Sequence, residues 1–173
     1  MAAPQALGGH IMMTAEQRAV LDEVTQFIYR EARLQDEHQY DAWESLWTDD
    51  GVYWVPANGD DIDPEQKMSI LYDNRSRIAL RIRQYHTGKR YSQTPQSRLR
   101  RLVSNVEIVA DDGTEIQAAA NALVFEAHTR GDTLWASRNE YTLRREGDGL
   151  RMARKKVMLV NNHSALYSMA FLI

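Results

Sequence analysis

Apolar residues in the first third of the chain recur at helical spacing. Val20, Leu21, Val24, Phe27, Ile28 and Ala32 form one stripe, and Thr14-Ala-Glu-Gln17 before them has the form of a capping box. The pattern predicts a helix over about 15–34. A shorter helix is expected at about 39–47, where Tyr40, Trp43, Leu46 and Trp47 lie three and four apart. Thr48-Asp-Asp-Gly51 reads as a turn. VYWVP after it reads as a β-branched and aromatic strand ended by Pro56, and residues 57–66 read as a loop. Asp73 or Asn74 can cap a third helix running to about Tyr85, with Ile78, Ile82 and Tyr85 on its buried side.

From Arg98 the period changes. The turn signals DDG (111–113), RGD (130–132) and EGDG (146–149) divide the remainder into extended segments at about 98–110, 115–128, 133–145 and 150–162. Strands of this length joined by tight turns predict a strongly twisted antiparallel meander that curls around something. On the segment 115–128, Ile116, Ala118, Ala120, Ala122 and Val124 point one way, and Ala119, Leu123, Phe125 and Ala127 the other. A sheet with one wet face shows clean alternation, and this strand does not. The helices can cover one face, so the second is expected to pack on another chain.

Helices followed by a curved, mainly antiparallel sheet give an α+β fold with a conical cavity. This arrangement resembles the NTF2-like (cystatin-like) group, which includes ketosteroid isomerase, scytalone dehydratase and non-catalytic members. Residues 1–13 are read as a disordered extension or an expression remnant, and residues 14–173 as a single domain.

Composition narrows the chemistry. The 173 residues are 43% hydrophobic and 26% charged and contain no cysteine. Disulfides, thiolate nucleophiles and iron–sulfur ligation are thereby absent, and a cytoplasmic setting is expected. No apolar run reaches the roughly 18–20 residues of a membrane span. The net charge of −3 conceals an asymmetry. Residues 1–65 hold fourteen acids and three arginines, whereas residues 74–106 hold nine basic residues and no acid. Such a block could face nucleic acid. It carries no binding motif, and arginines on a solvated helix face or paired with acids are the preferred reading.

The segment QDEHQYDAWESLWTDD (35–50) concentrates six carboxylates and His38. An iron facial triad needs two histidines and a carboxylate, yet His38 is the one histidine between positions 11 and 85, and no His-x-x-His or Glu-x-x-His spacing occurs. The remaining option is an acid–base site in the cone, drawn from Tyr40, Asp41 and His128 with Tyr53 and His86 nearby, where desolvation would shift a pKa toward neutrality. Against it, Asp41 suits the first turn of a helix, and His128 ends a strand beside a turn. No phosphate loop and no Gly-x-Ser-x-Gly elbow is present.

Several blocks taken together resemble the small (β) subunit of aromatic-ring-hydroxylating dioxygenases. They are Tyr29-Arg-Glu-Ala-Arg-Leu-Gln-Asp36, Trp43, Tyr53-Trp-Val-Pro56, Tyr72-Asp-Asn-Arg75 and Pro95-Gln-Ser-Arg-Leu-Arg-Arg-Leu-Val-Ser-Asn105, with the apolar end MAFLI. The resemblance covers about residues 14–173. Gln35 departs from it, standing where an apolar residue is common. Lys155-Lys156-Val-Met-Leu-Val160 also replaces the usual ending of the last strand.

The resemblance implies a non-catalytic, structural subunit of a terminal oxygenase acting in aromatic compound catabolism. No catalytic, cofactor-binding or metal-ligating residue is then expected in this chain. The partner α subunit would carry a Rieske [2Fe–2S] cluster and a mononuclear non-haem Fe(II), and the two would assemble as an α3β3 hexamer with β–β contacts. NADH would supply electrons through a reductase, with or without a ferredoxin. Nucleic acid and membrane are not expected partners. The competing expectation is a free-standing isomerase or dehydratase using Tyr40, Asp41 and His128.

Overall fold

A computed structural model describes residues 12–88, 94–166 and 169–173. Most of the expected extension over residues 1–13 therefore lies outside the described residues. Helix α1 spans Ala15–Asp36 and begins with the expected capping box: the Thr14 hydroxyl accepts from the Gln17 amide, and the Gln17 side chain accepts from the Thr14 amide. Its buried face is Val24, Ile28, Glu31, Ala32, Leu34 and Gln35, so two polar residues complete the apolar stripe.

Helix α2 covers only Tyr40–Glu44. Trp47, expected as its last residue, is instead the first residue of strand β1 (Trp47–Pro56), and its ring meets Trp43 edge-on at 5.4 Å. The expected turn at Thr48–Gly51 also lies inside β1, where it forms an irregularity between Trp47 and Val52 in the pairing with the last strand. Strand β2 (Ser69–Asn74) has no counterpart among the elements that the sequence pattern predicts. It pairs antiparallel with β1 and leads directly into α3 (Arg75–His86), whose N-cap Asn74 accepts from the Arg77 amide.

The four long strands fall close to their expected places: β3 (Arg98–Asp111), β4 (Glu115–Ala127), β5 (Thr133–Glu146) and β6 (Gly149–Leu159). The six-stranded sheet has the order β2-β1-β6-β5-β4-β3. All neighbours are antiparallel except β1 and β6, which run parallel. The N-terminal strand thus joins the meander through its last member, and α1 and α3 pack on the inner side. The core gathers Val24, Ile28, Trp43, Tyr53, Ile78, Ile82, Ile116, Leu143, Met152 and Val157.

Three members of the basic block find acids within the chain. Arg75 pairs with Glu44 and Arg81 with Asp73, each at 2.7 Å, and Arg101 pairs with Asp36 where both side chains are almost wholly buried. Asp36 also accepts from the Arg101 amide at 2.8 Å. The acidic corner after α1 is therefore tied to strand β3.

Candidate functional site

Of the residues expected to form an acid–base site in the cone, Asp41 and His86 meet, but at the solvent-exposed surface, and His128 joins neither. The hydroxyl of Tyr40, at the start of α2, lies 2.8 Å from His38 Nδ1 and accepts from Gln96 at 3.2 Å. Asp41 points into solvent with 80% of its side chain exposed, paired at 2.7 Å with the half-exposed His86. His128 Nε2 lies 3.0 Å from the Pro95 carbonyl, at the surface beyond the end of β4. Burial raises the pKa of Tyr40 and lowers that of His38, the latter opposed by the Ser97 carbonyl.

What the cone does contain is a different polar set. Lys155 of β6, Glu31 and Gln35 of α1, and Tyr53 of β1 are all buried. Lys155 Nζ donates to Glu31 Oε1 at 2.8 Å, to the Ile173 main-chain oxygen at 3.1 Å and to Gln35 Oε1 at 3.4 Å. Glu31 also accepts from the Trp43 indole at 2.7 Å. Burial lowers the Lys155 pKa against the opposing pull of Glu31, and burial raises the pKa values of Tyr53 and Tyr141. The signal for this set was present in the stripe of α1. Positions 24, 28, 31 and 35 continue one helical face, so Glu31 and Gln35 had to enter the core.

Among the described residues, no group of three or more His, Asp or Glu side chains could hold a metal ion, and His10 lies outside the described residues. Among the described residues, no helix is long and apolar enough to cross a membrane.

The outer face of the sheet carries the other notable surface. Residues Ile116, Ala118, Ala120, Ala122 and Val124 are buried inside, whereas Leu123 and Phe125 on the outside are 42% and 48% exposed. Leu102 pairs with Leu123, Leu123 with Ala136, and the Val160 amide bonds to the Ala136 carbonyl at 3.0 Å. An apolar row thus crosses β3, β4 and β5 and reaches the residue after β6. Phe125 opposite Leu134 makes a second row beside it. Leu102, Leu134 and Val160 are 64–69% exposed. An apolar surface continuous over four chain segments is uncommon on a solvent-facing sheet.

Comparisons with known proteins place this geometry. Residues 30–164 match the model of the family described as ring hydroxylating beta subunit. The chain is 31% identical to the anthranilate 1,2-dioxygenase small subunit of Acinetobacter baylyi, over 80% of this chain and 88% of that protein. It is 29% identical to the 2-halobenzoate 1,2-dioxygenase small subunit of Burkholderia cepacia, over 87% and 93%. The solved β subunit of the benzoate 1,2-dioxygenase of Burkholderia mallei superposes with a TM-score of 0.71 at 27% identity, covering 82% of this chain and 91% of that one. An NTF2-like protein with a cystatin-like fold from Novosphingobium aromaticivorans superposes with a TM-score of 0.58 at 22% identity, covering 88% and 93%, which supports the fold. The chain belongs to the ring-hydroxylating β subunits, the small subunits of aromatic-ring-hydroxylating dioxygenases.

Proposed function

We propose that this chain is a non-catalytic, structural β subunit whose work is to hold the α subunits of a terminal oxygenase in register. The observation that carries the reading is the exposed apolar row Leu102–Leu123–Ala136–Val160, on a chain whose own cone is filled by its own side chains. Burying such a row against neighbouring subunits is favourable by roughly 25 cal/mol per Å² of apolar surface removed from water. Residues 14–173 act as one domain in a cytoplasmic assembly, and the chain contributes no catalytic, cofactor-binding or metal-ligating side chain.

In this reading the partner is an α subunit bearing a Rieske [2Fe–2S] cluster and a mononuclear non-haem Fe(II), assembled as α3β3 with β–β contacts. Electrons originate from NADH and arrive through a reductase, with or without a ferredoxin. The exposed arginines of α1 and β3, Arg33 and Arg100, line a groove with Tyr29 and Leu102, and suit a partner surface of opposite charge. The test is co-expression with a cognate α subunit. A stable complex of both chains is expected on size-exclusion chromatography with light scattering. A lone chain that remains monomeric and ignores that partner would overturn the reading.

A further inference from the structure

The apolar row of the outer face ends in opposite charges. Its first member, Leu102, also lines a groove of about 290 Å³ between α1 and β3, together with Tyr29, Arg33 and Arg100. Arg101 in the same groove is held by Asp36. Arg33 and Arg100 are exposed and have no acid partner among the described residues. The last member of the row, Val160, lines a depression with Asn58 and Asp60, at the foot of the loop between β1 and β2. That loop exposes Asp60, Asp61, Asp63 and Glu65. Lys156 lies 3.6 Å from Asp61, yet the Asp61 side chain remains fully exposed.

The loop is shaped by its own bonds. Asp63 accepts from the Glu65 amide through its side chain and from the Gln66 and Lys67 amides through its carbonyl. Asn162 ties down the foot, donating to Asp60 and accepting from the Asn58 amide. A projection held in this way loses little freedom when it docks. Within one chain it does not reach the groove. Three strand spacings, roughly 14 Å, divide Leu102 from Val160, and the loop stands beyond Val160. Carboxylates at one end of a surface and arginines at the other, too far apart to pair in one copy, are complementary between two copies. Exposed ion pairs contribute little singly, but opposite charges fix which patch meets which.

We propose that the loop between β1 and β2 of one β subunit docks its carboxylates into the Arg33–Arg100 groove of the next, head to tail. This inference rests on the assembly reading and adds to it the surfaces by which β meets β. The contact joins two different patches, so it repeats around a ring, which closes at three copies in the α3β3 assembly. The apolar row between the two contacts is left to the α subunits. A two-fold pairing would instead lay row against row and leave none for them.

The chain has no cysteine, so introduced thiols report this contact cleanly. Tyr29→Cys marks the groove and Gln66→Cys the loop, and neither changes a charge. Leu102→Cys, at a side chain 69% exposed, replaces Tyr29→Cys should that variant not fold. The Tyr29→Cys/Gln66→Cys chain is co-expressed with a cognate α subunit, and the purified oxygenase is treated with a short bismaleimide. Covalent β dimers and trimers, and nothing larger, are expected, with mass spectrometry locating the link between positions 29 and 66 of different copies. Each single variant should give no β–β link. In the double-cysteine chain, Arg33→Glu/Arg100→Glu should lower the yield of linked β by at least about fivefold, and Asp61→Arg/Asp63→Arg should do the same. All four charge reversals together should restore at least about half of it. The proposal is overturned by a β–β link in a single variant, by a link from position 29 to the α subunit, or by no β–β link while α and β co-purify. Parent chains that do not co-purify would overturn the assembly reading and this inference with it.

Discussion

Lys155 Nζ sits 2.8 Å from Glu31 Oε1 with only 1% and 2% of the two side chains exposed, so α1 is bonded to β6 across the interior of the cone. Two ions held this deep carry a desolvation cost that their attraction offsets only while both are present and hydrogen-bonded. The Trp43 indole and the Ile173 oxygen complete that set.

Lys155→Met is therefore expected to lower the stability of the chain by about 3–5 kcal/mol, because it strands Glu31 in the core. Glu31→Gln/Lys155→Met keeps an acceptor for Trp43 and removes both charges. It should recover at least about 2 kcal/mol of that loss. Urea unfolding followed by tryptophan fluorescence measures both. Equal loss in the single and double variants would show that the charges are not coupled.

His38 makes a second, pH-dependent contribution. Its Nε2 lies 2.9 Å from the Ser97 carbonyl, which can only accept, so Nε2 bears the hydrogen and Nδ1 accepts from the Tyr40 hydroxyl at 2.8 Å. Burial holds the imidazole below its ordinary value of 6.5, with the Ser97 carbonyl and Asp36 opposing and Arg101 reinforcing the shift. The unfolded chain takes up a proton first as pH falls through 6.5, so stability from this residue is present above 6.5 and is lost below it, until the folded form is also protonated. The NMR titration of His38 should have its midpoint below 6.5. Its φ of 54° is tolerated by asparagine, so His38→Asn should flatten the difference in urea midpoint between pH 7.5 and 5.5.

Gly51 marks the irregularity in β1. A Cβ there would come within 2.8 Å of the Trp47 ring and 3.2 Å of the Thr48 carbonyl. Gly51→Ala should cost about 1–3 kcal/mol by forcing the Trp47 ring or the backbone to move. A thermal midpoint within 1 °C of the parent would contradict this packing.

The helices and the long strands are legible because their periods are sustained: the Val20–Ala32 stripe and the segments between DDG, RGD and EGDG admit few other readings. Strand β2 is not legible. SILYDN is short, lies beyond a polar loop and follows an exposed Met68, and only its pairing with Val52–Pro56 makes it a strand. The turn residues Asp49–Gly51 mislead for a similar reason, since a bulge and a turn use the same amino acids. Lys155 and Lys156 are adjacent, and local sequence suggests two solvated cations. In the sheet they face opposite ways, Lys155 toward Glu31 and Lys156 over the Trp54 ring at 4.8 Å, and both are buried. The acid–base trio of Tyr40, Asp41 and His128 fails because Tyr40 is buried whereas Asp41 and His128 face solvent with other partners, a relationship set by tertiary packing alone.

The outer face separates folding from assembly. Phe125→Lys and Leu123→Lys replace side chains that are already about half exposed, so the lone chain should keep its thermal midpoint within about 3 °C. The same changes should weaken assembly strongly, since charge at the centre of an apolar interface opposes its burial. Light scattering on co-expressed subunits reads this. An unchanged complex would place the interface elsewhere.

The most direct measurement is iron content and turnover of the purified chain beside that of the co-purified oxygenase. The lone chain should hold sub-stoichiometric iron and show no oxygen-dependent turnover of an aromatic substrate, with both iron and turnover present once the α subunit is bound. One iron per lone chain, or turnover by it without a partner, would show that the β subunit is not a purely structural one.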